Sequence, residues 1–86
     1  MINGHMLQDL MTQPKTVGLK QTIKAVNSGE AYLVFVAQDA VTQVKERVTT
    51  VARANSIRIE YVDSMTELGK ACNVEVKTAT AALINE

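Results

Sequence analysis

Aromatic side chains are scarce in this 86-residue sequence, which has two tyrosines, one phenylalanine and no tryptophan. That scarcity excludes a sheet face built as a stacking platform for bases, and with it the recognition-motif type of RNA-binding domain. Cysteine is limited to Cys72, so no internal disulfide can form, and no Cys/His cluster has metal-ligand spacing. A zinc module is excluded, and a reducing compartment suits the chain. No apolar run approaches the roughly 20 residues needed to span a bilayer. A basic start followed by an apolar stretch and a small-residue cleavage site is also lacking, so the expectation is a cytoplasmic protein with no membrane partner. His5, the sole histidine, has no serine, cysteine or carboxylate constellation around it. No catalytic residue, metal ligand or cofactor is therefore assigned, and the protein is not expected to be an enzyme.

Net charge is lacking too, with nine basic residues against nine acidic ones. As a sum, that weighs against a nucleic-acid partner. The distribution says more. Residues 14–29 hold Lys15, Lys20 and Lys24 and no acid, whereas residues 30–67 hold six acids against four bases. A small basic site on a neutral to acidic body suits one compact anionic feature better than a long stretch of backbone.

What is present is a 47% hydrophobic composition, enough for one modest core in a single domain of this length. Residues 1–13 read as a short N-terminal segment. In it, "GHM" (Gly4 to Met6) resembles a cloning scar or a disordered start, and "MLQDLM" (Met6 to Met11) is a short amphipathic turn or helix that Pro14 ends. "KTV" before Gly18 can be a short edge strand, and Leu19, Ile23 and Val26 recur at helical spacing until Ser28-Gly29. "AYLVFVA" (Ala31 to Ala37) is a continuous apolar run, the mark of a strand buried on both faces. Val41, Val44, Val48 and Val51 predict a helix over about Thr42 to Asn55; Asp39 could cap it or approach a nucleic-acid ligand, and capping is the expectation. "IRIEYV" (Ile57 to Val62) alternates as a strand. "SMTE" then forms a capping box from Ser64 to Glu67, opening a helix that ends near Cys72-Asn73, with Cys72 as a small core residue. The last strand falls within Thr78 to Ile84. Alternating strands and helices predict an α/β fold, a three-layer α/β/α sandwich around a mixed four-stranded sheet.

One stretch carries a functional signal. "TVGLKQTIKA" (Thr16 to Ala25) starts a helix with glycine and sets Lys20 and Lys24 one turn apart with no carboxylate near. A helix's first turn already exposes partly positive N–H groups, so lysines there cost a little stability unless an anion arrives. Free backbone donors, two ammonium groups and a close-approach glycine make a phosphate or nucleotide cradle. The plain alternative is a solvated basic helix face.

Four blocks, "GLKQTIK" (Gly18 to Lys24), "YLVFVAQDA" (Tyr32 to Ala40), "YVDSMTELGKAC" (Tyr61 to Cys72) and "VEVKTATAALI" (Val74 to Ile84), appear in the same order in a known superfamily. With them the chain resembles the large-subunit ribosomal protein superfamily of kink-turn RNA binders, of the L-seven-Ae and L-thirty-e type, and looks closest to its small bacterial members. The resemblance implies that residues 14–86 form one kink-turn RNA-binding domain. It also implies that the helix after the first strand enters the RNA major groove at tandem sheared G·A pairs. The family motif of glycine, any residue, asparagine, glutamate, two residues and lysine is matched by Gly18, Leu19, Lys20, Gln21, Thr22, Ile23 and Lys24. Lys20 and Gln21 replace the commoner asparagine and glutamate, a departure that leaves the exact base contacts open.

The resemblance further implies that the loop of Val74, Glu75 and Val76 faces the RNA, its apolar side chains packing on bases turned out of the stack at the kink. From the residues alone, Val74 and Val76 could equally start a strand and enter the core. The resulting expectation is a monomeric, bacterial, ribosomal-protein-like or ribosome-associated factor. It would bind and stabilise a kink-turn RNA (ribosomal RNA, riboswitch or other structured RNA) through Gly18, Lys20, Gln21, Lys24 and Val74 to Val76. The alternative is a protein-interaction module on the same small frame, its basic helix start facing an acidic partner.

Overall fold

Apolar residues alternate between strand and helix periods along the chain, and the described residues fold into eight elements. These are α1 (Gly4–Thr12), β1 (Lys15–Val17), α2 (Leu19–Asn27), β2 (Ala31–Ala37), α3 (Thr42–Ala54), β3 (Arg58–Val62), α4 (Met65–Ala71) and β4 (Thr80–Ile84). The computed structural model describes residues 4–85, and side chains from Leu7 onward. The backbone of Gly4 to Met6 opens α1, against the reading of "GHM" as a disordered start, while the reading of the His5 side chain lies outside the described residues. Leu10, near the end of α1, is fully buried.

The strands make one mixed sheet in the order β1-β4-β2-β3. β2 and β3 run parallel, and β4 is antiparallel to both β1 and β2. Consequently β1, β2 and β3 all finish at one end of the sheet. α2, α3 and α4 all begin there, and β4 sets out from it. That shared end governs the rest of the molecule.

β2 takes a central place because Leu33 to Ala37 are apolar on both faces, none more than 1% exposed. Its neighbour β4 carries Thr80, Ala81 and Ala82, small enough for helices to lie close on either side. On one face Leu33, Phe35, Ala81 and Leu83 pack with Leu10 of α1 and with Leu68 and Cys72 at α4. On the other, Val34, Val36 and Ala82 pack with Ala25 and Val26 of α2 and with Val48 and Ala52 of α3. Burying one such large side chain contributes about 1.5–3 kcal/mol. The three-layer sandwich expected from the alternation is the fold observed. Burial pushes the Cys72 thiol above its ordinary range, against a smaller opposing pull from Lys15, which makes it an inert core residue.

Three helices stop in the same way. Beyond α2, α3 and α4, a residue with positive φ (Gly29 at 81°, Ser56 at 57°, Asn73 at 61°) turns the chain left-handed. Each is followed by a paired set of bonds back to the last turn, such as Asn73 N–H to the Lys70 carbonyl and Val74 N–H to the Gly69 carbonyl, both 3.0 Å. This is the Schellman arrangement, which satisfies otherwise orphaned carbonyls. Glycine and asparagine tolerate that backbone, whereas Ser56 bears a Cβ penalty there. Ser56→Gly is therefore expected to stabilise the protein by about 0.5–1 kcal/mol. The check is a rise in the urea midpoint with an unchanged slope.

Candidate nucleic-acid interface

Of the three helices that begin at the shared sheet end, only α4 is capped by side chains. The Glu67 N–H donates to Ser64 Oγ at 3.0 Å, as the capping box predicts, and the Met65 N–H donates to Asp39 Oδ1 at 2.8 Å. The expectation for Asp39 needs correcting. It caps α4, across the sheet end, and not the helix that follows it in sequence, because the β2–α3 turn directs it at the neighbouring helix start. The N-cap position of α3 is taken by Val41, which offers no acceptor and is 65% exposed. α2 starts at Gly18, likewise without a side-chain cap, and has no acid in its first turn. Two helix starts thus keep their partial positive charge while the third is neutralised.

Gly18 has φ 98° and ψ 162°, a backbone region open essentially to glycine alone. A Cβ built there meets nothing within 4 Å, so the conformation, not crowding within the protein, demands glycine. The same open space leaves its backbone approachable. Two bonds fix the helix start that follows. The Gly18 N–H donates to the Thr80 carbonyl at 2.9 Å, and the buried Thr22 hydroxyl pairs with Thr16 Oγ1 at 3.0 Å. Lys20, Gln21 and Lys24 are all exposed, and Lys24 stands about 6 Å along the axis from Lys20 on the same face. That puts Lys24 in the last turn of the short α2, so the first-turn cost expected of both lysines falls on Lys20 alone.

The Gly18–Thr80 bond also joins this helix start to the segment that leads into β4. Val74, Glu75 and Val76 lie in the loop between α4 and β4, and the strand begins only at Thr80. The reading of Val74 and Val76 as a strand start therefore fails. Val74 is half-buried against the core, and Val76 is 69% exposed. The loop is held from beneath. Thr78 N–H donates to the Met65 carbonyl at 3.1 Å, and Gly69 of α4 lies against the Val76–Lys77 backbone, where a Cβ would overlap the Val76 carbonyl oxygen.

All seven sequence-predicted residues thus belong to two segments brought to one end of the sheet. Around them the structure adds residues that sequence reasoning missed. Lys70 and Lys77 line a hollow beside the loop together with Thr66 and Val74 to Val76. Val41 and Gln38 sit on the β2–α3 turn at the same end, with the Gln38 carbonyl held by Lys45 Nζ at 2.9 Å. The available signal for Val41 was an apolar residue in a helix-cap position that normally favours Ser, Thr, Asp or Asn. Nothing in sequence spacing marks Lys70 or Lys77. Among the described residues the one ion pair is Arg58–Glu60, 2.7 Å, at the other end of β3 from these groups; Lys20 and Lys24 are in no ion pair, and Glu75 lines the same hollow as Lys70 and Lys77 without pairing with either. No group of three or more His, Cys, Asp and Glu side chains could hold a metal among the described residues. No described helix is long and apolar enough to cross a membrane.

Comparison with known proteins bears on the family and the fold. A family model described as the ribosomal protein L7Ae/L30e/S12e/Gadd45 family matches residues 5–86. The chain is 44% identical over 68 residues to an RNA-binding protein, YbxF, of Geobacillus stearothermophilus, covering 79% of this chain and 83% of that one. It is 37% identical over 71 residues to the large ribosomal subunit protein eL30 of Tetrahymena thermophila, covering 81% and 68% of the two chains. Among solved structures, the Giardia lamblia 15.5kD RNA binding protein superposes with a TM-score of 0.86 at 27% identity, covering 94% of this chain and 72% of that one.

Gly69 is the residue on which the loop's position depends most directly. Gly69→Ala is expected to displace residues 74–78, with amide chemical-shift changes concentrated there and a stability loss of about 1–3 kcal/mol from overpacking. Shifts spread evenly over the sheet, or none at the loop, would show that the loop is positioned by something else.

Proposed function

The chain belongs to the ribosomal protein L7Ae/L30e/S12e/Gadd45 family, and on that premise we propose that it binds RNA and stabilises a kink-turn at its tandem sheared G·A pairs. The observation that carries the proposal is the pairing of Gly18 with Thr80, which sets an uncapped, acid-free helix start beside the Val74–Lys77 loop. The RNA-binding relatives support the ligand class. In this reading the open backbone at Gly18 and the first turn of α2 meet the sugar–phosphate chain, and Lys20 and Lys24 supply charge to it. Gln21 offers both a donor and an acceptor to a base edge. Exposed Val76 and half-buried Val74 meet a base turned out of the stack, which lets RNA be read where its ordinary major groove is too narrow. The protein acts by binding alone, as a monomer and as a ribosomal-protein-like or ribosome-associated factor of the bacterial cytoplasm.

A gel-shift titration tests the central claim. The protein should bind a kink-turn RNA more tightly than the same RNA with its tandem G·A pairs replaced by Watson–Crick pairs. Equal affinity for both would reduce the site to a generic basic patch, open to an acidic protein surface as readily as to RNA.

Titrations at several salt concentrations separate the neighbouring side chains. Lys24→Ala should weaken binding and lessen the logarithmic salt slope by about 0.7–0.9, the loss of one counterion-releasing contact. Gln21→Ala should leave the slope unchanged and erode the preference for the G·A-containing RNA, since an amide reads base edges and displaces no counterion. A Gln21→Ala variant with native affinity and native preference would place base readout outside α2, with the 74–76 loop as the next region to test.

A further inference from the structure

α2 and α3 lie side by side on one face of the sheet, and both begin at the proposed interface. Between them runs a groove of about 340 Å³ lined by Leu19, Lys20, Ile23 and Arg47, toward the small end of ligand sites, which span about 300–1,000 Å³. Leu19 and Ile23 are half-buried and form an apolar strip, while Lys20 and Arg47 are exposed. No acid lines the groove, and among the described residues Arg47 is in no ion pair. Such a combination, an apolar strip between two uncompensated cations, fits an occupant with a flat, weakly polar part joined to an anion. A nucleotide has that chemistry.

We infer that this groove is a second RNA contact, which takes one nucleotide of the bound strand beyond the α2 start. Its phosphate lies between Lys20 and Arg47, and its sugar or base lies along Leu19 and Ile23. The inference rests on the RNA-binding reading above and extends it to α3. Two features favour RNA as the occupant. Lys20 belongs both to the α2 start and to the groove, so a strand held at the first is already at the mouth of the second. Arg47 also supplies what lysine lacks, a planar fork that pairs with phosphate through two parallel hydrogen bonds and stacks on a base. Arg47 points to no structural duty of its own, since the residues with which α3 meets the sheet are Val48 and Ala52.

Binding of a G·A-containing kink-turn RNA by the full chain, measured across several salt concentrations, tests this. Arg47→Ala should weaken affinity several-fold and lessen the salt slope by about 0.7–0.9. Arg53→Ala, also exposed on α3 but outside the groove, should change neither. Ile23→Ala should weaken affinity with the slope unchanged, and thermal melts of all three variants check that the fold is kept. A native slope and affinity for Arg47→Ala, or an equal effect from Arg53→Ala, overturns the inference while the preference of the native protein for G·A pairs still stands. Loss of that preference in the native protein itself overturns the kink-turn reading and this inference with it.

Discussion

The hydrogen bond from the Gly18 amide to the Thr80 carbonyl, 2.9 Å long, is the joint on which the candidate site depends. It continues the antiparallel pairing of β1 with β4, in which Val17 stands opposite Ala81, one step past the last residue of β1. At that step the chain must leave the sheet and enter a helix. The change of direction requires φ 98° and ψ 162°, and so requires glycine. A side chain at Gly18 would strain the backbone by about 1–3 kcal/mol even with open space around it. One residue therefore fixes where α2 begins, what its first amides face and how far they stand from the loop before β4.

Electrostatics at this end follow from how unevenly the helix starts are capped. Asp39, Ser64 and Glu67 all serve α4, which leaves α2 and α3 with exposed positive ends. Lys20 adds a full charge at the α2 start, Lys24 one further along that helix, and Lys70 and Lys77 lie beside the 74–76 loop. A protein of zero formal net charge can still be locally positive, because residues 14–29 hold three lysines and no acid while the acids are spread over the rest of the chain. The resulting field is short-ranged at physiological salt, where the screening length is about 8 Å. It acts on an anion already at the site more than on one at a distance. In the proposed reading, such a field suits a compact, folded RNA feature better than an extended backbone.

Much of the fold was legible because periodicity is a local property. Ala31–Ala37 reads as a doubly buried strand from its seven residues alone and takes a central place in the sheet, with Tyr32 the one residue that stays exposed, and Ser64 followed by Glu67 marks the α4 start where the structure has it. Asp39 failed as a cap for the next helix because its partner, the Met65 amide, is reached through the parallel pairing of β2 with β3. Sequence spacing carries no trace of that contact. Val74 and Val76 were ambiguous for a related reason. Alternating valines before a strand resemble the strand itself, and only Gly69 beneath the loop shows that the backbone is held away from the sheet. Of the seven residues assigned to the site, the sequence supplied the types and the topology supplied their proximity. Arg47, Lys70 and Lys77 depend on topology entirely.

Constraint and charge divide differently between the two segments. The α4–β4 loop is fixed by backbone: the Schellman turn at Asn73, the Thr78 amide on Met65 and the contact over Gly69. The α2 start is fixed by backbone only at Gly18, and its lysines are long side chains free in solvent. A rigid loop can discriminate by shape, because a base that does not fit meets atoms that cannot yield. Mobile ammonium groups follow phosphate wherever it lies and discriminate little. Replacing the family's asparagine and glutamate by Lys20 and Gln21 moves the α2 start further toward charge and away from fixed base pairing. In the proposed reading, specificity would rest on the loop and on the single amide of Gln21, while the lysines would set affinity and its dependence on salt.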